Sequence, residues 1–138
     1  MAGELLLDTG ALVSLLDRSQ TQHETCRRVF ADWNGAVVST EAVLTEATYL
    51  LSGVRGGRAA CVDFFLSGGA ILVPSTTSSL RRVRTLLDKY ADLPMDYADA
   101  TLVALAEELD CAQVFTTDLT DFPVYRLKGR KPFRLLPE

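Results

Sequence analysis

The chain has 138 residues, 48% hydrophobic and 23% charged, which is the size and composition of one globular domain able to bury its own core. Its formal net charge is −4, from 14 basic and 18 acidic residues, and this excludes a protein that coats nucleic acid by bulk positive charge. A single histidine, His23, excludes a metal site built on several imidazoles, and three scattered cysteines exclude a four-cysteine zinc site or a complete disulfide set.

In chain order, Leu5-Leu6-Leu7 is a short apolar run that ends at Asp8, the pattern of a strand covered on both faces. Apolar residues at i, i+3 and i+4 spacing predict helices over 10–17 and 21–33. A second strand is expected at Ala36-Val37-Val38, followed by a helix over 41–52 that Ser39 or Thr40 caps and Gly53 stops. The pattern predicts a helix over 57–67 and a strand over 70–73, bounded by Gly69 and Pro74. Residues 75–79 offer caps for a helix through Tyr90, and Pro94 separates it from a helix over 97–109. Val114-Phe115 reads as a fourth strand running into Thr116-Thr117-Asp118, and 133–136 as a fifth. Strands alternating with helices predict one α/β domain, residues 1–138, around a mostly parallel sheet of about five strands. The N-terminus lacks the basic and apolar regions of a secretory signal, and no apolar run reaches the roughly 18 residues of a membrane span, so a cytoplasmic protein is expected.

In open parallel sheets, ligands bind outside the carboxyl ends of the strands, and Asp8 and Asp118 both follow strands directly. A lone acid there is commonly a turn former or cap, but two helices add acids on apolar faces. Glu46 flanks the stripe of Val43, Ala47 and Leu50, and Asp99 lies on the side of Leu102, Val103 and Ala106. Carboxylates set against a core need compensation, and no basic residue adjoins these four in sequence. An all-oxygen set suits Mg²⁺ or Mn²⁺, and such a pocket serves phosphodiester chemistry. Asp96 reads first as the cap of its helix and Asp121 as a turn cap, both secondary candidates for the pocket. Thr9 and Thr117 adjoin Asp8 and Asp118 and could orient them through their hydroxyls, or simply suit strand ends.

The motifs in order resemble the PIN domain across essentially the whole chain. Leu7-Asp8-Thr9-Gly10-Ala11-Leu12 resembles the first motif, and Glu46 within Leu44-Thr45-Glu46-Ala47 stands in the place of the second acid. Asp96-Tyr97-Ala98-Asp99-Ala100 resembles the third motif, and Thr116-Thr117-Asp118-Leu119-Thr120-Asp121-Phe122 the fourth. Small single-domain members of this kind are similar to VapC toxins of bacterial toxin–antitoxin pairs. The resemblance implies a three-layer α/β/α fold and a ribonuclease in which Asp8, Glu46, Asp99 and Asp118 hold Mg²⁺ or Mn²⁺. It further implies a homodimer inhibited by a small antitoxin. Gly10 departs from the pattern, because a serine or another small polar residue often follows the Asp-Thr pair.

An RNA surface has to be local, since the overall charge is negative. Arg126, Lys128, Arg130, Lys131 and Arg134 lie in an acid-free stretch with Tyr125 and Phe133 interleaved, and it begins just after Asp118 and Asp121. Arg126, Lys128 and Arg130 are accordingly expected to guide RNA phosphates to the pocket. Two other readings compete: a non-catalytic PIN scaffold, and a receiver-type phosphoacceptor domain. The latter needs a lysine ending a late strand, whereas Lys131-Pro132 precedes the last one, and it has no use for Glu46 inside a helix. A phosphatase of the DxDx(T/V) type lacks its second aspartate at Asp8-Thr9-Gly10.

Overall fold

A computed structural model describes residues 3–138. The elements run β1 (Leu5–Leu7), α1 (Thr9–Leu16), α2 (His23–Asp32), β2 (Val37–Thr40), α3 (Glu41–Leu50), α4 (Gly57–Leu66) and β3 (Ile71–Val73). They continue with α5 (Thr77–Lys89), α6 (Tyr97–Leu109), β4 (Gln113–Phe115), β5 (Arg126–Leu127), β6 (Lys131–Pro132) and β7 (Arg134–Leu136). The sheet has five parallel strands in the order β3-β2-β1-β4-β7. This is the expected α/β/α architecture. The strands expected from continuous apolar runs include the fully buried Leu5, Leu6 and Leu7 of β1, as a strand covered on both faces requires.

The order of strands explains where a site can form. The chain steps from β1 to β2 to β3 in one direction through α1–α4, then returns past β1 to β4 through α5 and α6. Right-handed crossovers put these two helix groups on opposite faces of the sheet. The direction of winding reverses between β1 and β4, so their carboxyl ends flank the crevice where such sheets bind ligands. The register Leu7↔Phe115 and the bond from the Asp8 amide to the Phe115 carbonyl at 2.9 Å set Asp8 beside Thr116.

Helix α6 is the structural middle of its layer. Every residue from Ala100 to Ala106 is buried, so α6 is apolar all round and packs under α5 as well as on the sheet. A buried contact between Thr40 and Thr101 hydroxyls at 2.9 Å fixes the start of α3 against α6. The fifth expected strand forms as β7, whereas the short antiparallel pair β5–β6 has no counterpart among the expected elements. Its two-residue strands are too short to show periodicity. No helix of the described residues is long and apolar enough to cross a membrane.

Candidate active site

Asp8 is the N-cap of α1: its Oδ1 accepts from the Thr9 amide at 2.8 Å, while its Oδ2 accepts from the Thr116 hydroxyl at 2.6 Å. The residue is buried, at 6% exposure. Burial pushes its carboxyl up to about 6 against the opposing pull of these two hydrogen bonds, with the charges of Asp118 and Glu46 adding to the rise.

Asp99 sits in the first turn of α6, where its amide donates to Asp96 Oδ1 at 2.8 Å. Asp96 is therefore the helix N-cap, as its sequence position suggested. The Tyr125 phenol donates to Asp99 Oδ2 at 3.0 Å. Desolvation first, then the charges of Asp96 and Asp8, push Asp99 up to about 7. The fully buried Tyr125 phenol is itself pushed far upward, by desolvation and then by Asp99, and so remains a donor.

Asp118 organises the loop after β4. Its Oδ1 accepts from the amides of Thr120 and Asp121, both at 2.9 Å, and its own amide donates to the Thr116 hydroxyl at 2.9 Å. Asp99, Asp118 and Asp121 each offer a carboxylate oxygen, and these atoms lie within 4.8 Å of one another. Asp121 is raised by desolvation and by Asp118 beside it. Asp8 borders this triple, and Glu46 stands half-buried on α3 in a cleft of about 550 Å³ that Tyr49, Asp96 and Tyr97 also line.

The donor set fits a hard divalent cation. It is built from carboxylates and hydroxyls, while the lone histidine lies elsewhere, its Nδ1 on the Ser14 carbonyl. Two acids raised by desolvation and by neighbouring carboxylates, Asp118 and Glu46 for Asp8, Asp96 and Asp8 for Asp99, form a site that positive charge would relieve. The Thr9 hydroxyl beside Asp8 is buried and has no hydrogen-bond partner among the described residues, leaving a polar atom free for water or a ligand.

The structure distributes the supporting residues differently from the sequence pattern. The hydroxyl that orients both Asp8 and Asp118 belongs to Thr116, one residue before Thr117. Thr117 instead crowds Gly10, where an added Cβ would lie 2.2 Å from its hydroxyl. Tyr125 and Phe133, the aromatics interleaved in the basic stretch, are buried at 0% and 8% exposure and join Phe122 in edge-on aromatic contacts. Tyr125 is a functional candidate that the sequence did not single out, because its basic neighbours give no sign of a residue that packs inward.

The basic stretch spreads along α6. The Arg126 guanidinium turns back on the Pro123 and Tyr125 carbonyls, at 2.7 and 2.9 Å. Lys128 Nζ lies 3.6 Å from Asp110, which caps the far end of α6 from Asp99, about 16 Å away by helical rise. Arg130 follows, exposed, in the β5–β6 turn. The structure thus keeps Arg126 next to the Tyr125–Asp99 contact and carries Lys128 toward the far end of α6.

This is a parallel α/β domain with a carboxylate pocket at the switch point of its sheet. The PIN domain family model matches residues 5–126, and the chain belongs to that family. A curated relative, Ribonuclease VapC26 of Mycobacterium tuberculosis (strain ATCC 25618 / H37Rv), is 26% identical over 137 residues, covering 96% of this chain and all of the relative. Among solved structures, Mycobacterium tuberculosis VapC20, described as a sarcin-ricin loop cleaving toxin, superposes with a TM-score of 0.76 at 21% identity, over 83% of this chain and 89% of that one. VapBC2 from Rickettsia felis, bound to a DNA fragment from its promoter, gives 0.64 at 18% identity over 96% of each chain. A toxin–antitoxin complex from Klebsiella pneumoniae gives 0.63 at 17% identity, over 87% of this chain and 91% of that one. At these identities the solved structures speak to the fold.

Proposed function

We propose that this PIN-domain protein is a VapC-type toxin, a cytoplasmic ribonuclease that hydrolyses RNA phosphodiester bonds with Mg²⁺ or Mn²⁺. The observation that carries this reading is the convergence of Asp8, Asp99, Asp118 and Asp121 on the crevice between β1 and β4. The near full-length match to a relative named as a ribonuclease supports it. A toxin of this type implies a small antitoxin protein as inhibitor and a homodimer as the working form.

Asp8, Asp99 and Asp118 would hold the cation, with Asp121 close enough to complete the set and Asp96 fixing Asp99 through its amide. When bound, a divalent ion lowers the pKa of its water and offsets charge on the phosphate during in-line displacement. Thr116 keeps Asp8 and the Asp118 loop in register across the crevice. Glu46 stands apart from the tight carboxylate triple and is our candidate to accept a proton from the attacking water at its carboxylate. The four motif acids Asp8, Glu46, Asp99 and Asp118 are equal in number to the formal charge of −4, so the rest of the chain is formally neutral.

The decisive experiment incubates purified protein with structured and unstructured RNA, with Mg²⁺, Mn²⁺ or EDTA, beside Asp8→Asn and Asp99→Asn. Cleavage by the wild type alone, abolished by EDTA, is expected. Cleavage that survives both substitutions and EDTA would overturn the proposal, and a wild type that binds RNA but never cuts would favour the scaffold reading.

A further inference from the structure

Asp99 and Tyr125 belong to no common sequence motif, yet the Tyr125 phenol donates to Asp99 Oδ2 at 3.0 Å. Tyr125 is fully buried, so its ring has no face for a nucleobase. Its position is fixed on two sides by edge-on contacts, with Tyr90 at 5.2 Å and Phe122 at 5.1 Å between ring centroids. The next residue is pinned too, because the Arg126 amide donates to the Tyr90 hydroxyl at 3.1 Å. A donor held this firmly behind a half-buried carboxylate restricts the rotation of that carboxylate.

We propose that Tyr125 is a positioning residue: its phenol holds the Asp99 carboxylate where one oxygen lies within 4.8 Å of oxygens of Asp118 and Asp121, so that the three can take up one divalent cation together. This rests on the metal-dependent reading above. Removing the hydroxyl frees Asp99 to rotate and leaves the cation with a less ordered set of ligands. The aromatic packing, by contrast, needs only the ring.

The test is Tyr125→Phe, which keeps the ring and deletes the donor. The readout is Mn²⁺ binding to the metal-free full-length protein by titration calorimetry, beside its metal-free Tm. The expected result is an Mn²⁺ Kd weakened about tenfold or more with the fold retained. In an Asp99→Asn background the same change adds no further loss, because its route to the cation is already gone. An unchanged Kd in Tyr125→Phe, or a full additive loss in the Asp99→Asn background, would overturn the positioning role. Should Tyr125→Phe fail to fold, Mg²⁺ titration of the wild type carrying a ¹³Cζ label at Tyr125 decides: the resonance shifts with cation occupancy if the phenol serves Asp99, and its constancy counts against the role. A wild type that binds no Mn²⁺ at all overturns the metal-dependent reading itself, an outcome distinct from unchanged binding on losing the hydroxyl.

Discussion

Thr116 and Asp8 are 108 positions apart in sequence, and a 2.6 Å hydrogen bond joins them across the carboxyl ends of β4 and β1. The same hydroxyl accepts from the Asp118 amide at 2.9 Å, so one oxygen fixes the first motif acid and the loop of the fourth. Thr116→Val keeps the shape and deletes both bonds, leaving a buried carboxylate oxygen and an amide unpaired. The expected loss is about 1–3 kcal/mol of stability and roughly tenfold to a hundredfold in activity. Thr116→Ser should recover most of both. Denaturant unfolding and RNA cleavage rates check the pair.

The raised acids set a pH dependence for the metal-free protein. Asp8 at about 6 and Asp99 at about 7 bind protons more readily folded than unfolded, where each titrates near 3.8. Between these limits the folded chain carries the extra protons, so stability rises as pH falls from about 7 toward 4, on the part of these two groups. Above pH 7 the full electrostatic penalty is present. Asp8→Asn and Asp99→Asn should each flatten the Tm profile in EDTA, and the asparagine introduced by Asp8→Asn can still cap α1. A profile as steep in both variants as in the wild type would contradict this assignment.

Cation binding should follow the opposite course. Mg²⁺ needs the carboxylates ionised, so the rise in Tm on adding Mg²⁺ is expected to be large at pH 8 and to fade through about 7 and 6, where Asp99 and Asp8 take up protons. Thermal shifts at matched ionic strength, with and without EDTA, measure it. An equal shift at pH 5 and pH 8 would place the ion elsewhere.

Gly10 is small for a steric reason. A Cβ there would come 2.2 Å from the Thr117 hydroxyl, so Gly10→Ala forces one of the two aside and should destabilise by about 1–3 kcal/mol. Thr117→Ala in the same chain removes the clash and should restore stability. Full additivity of the two changes would show that they do not meet.

Glu107 is the clamp on the β5–β6 pair. Its carboxylate accepts from Arg82 Nε and Nη2 at 2.5 and 2.9 Å and from the Lys128 amide at 3.1 Å. Glu107→Ala should cost about 1–3 kcal/mol, at the lower end because Arg82 is 37% exposed and can regain water. Amide exchange at Lys128 should quicken more than at Leu6 or Val114 of the central strands. Equal changes throughout would indicate global loosening instead.

Much of this protein is legible in its sequence, because the signals are local. The apolar runs of β1 and β2, the caps at Thr40 and Asp96, and the 3.6-residue periodicity of α2 depend on near neighbours, and they define the element order and the parallel class. The placement of acids directly after strands is readable for the same reason. The partners of those acids were decided only by tertiary structure. Thr116 and Thr117 are equivalent by composition, but successive side chains of an extended chain point in opposite directions, and the β1–β4 register gives Thr116 to Asp8 and Thr117 to Gly10. Tyr125 lies within a basic stretch, and only the packing of its ring between Tyr90 and Phe122 turns it inward to Asp99. Sequence determines what a residue can do through its chemistry and its immediate neighbours. Which distant group it serves depends on strand register and packing, where a shift of one residue exchanges one partner for another.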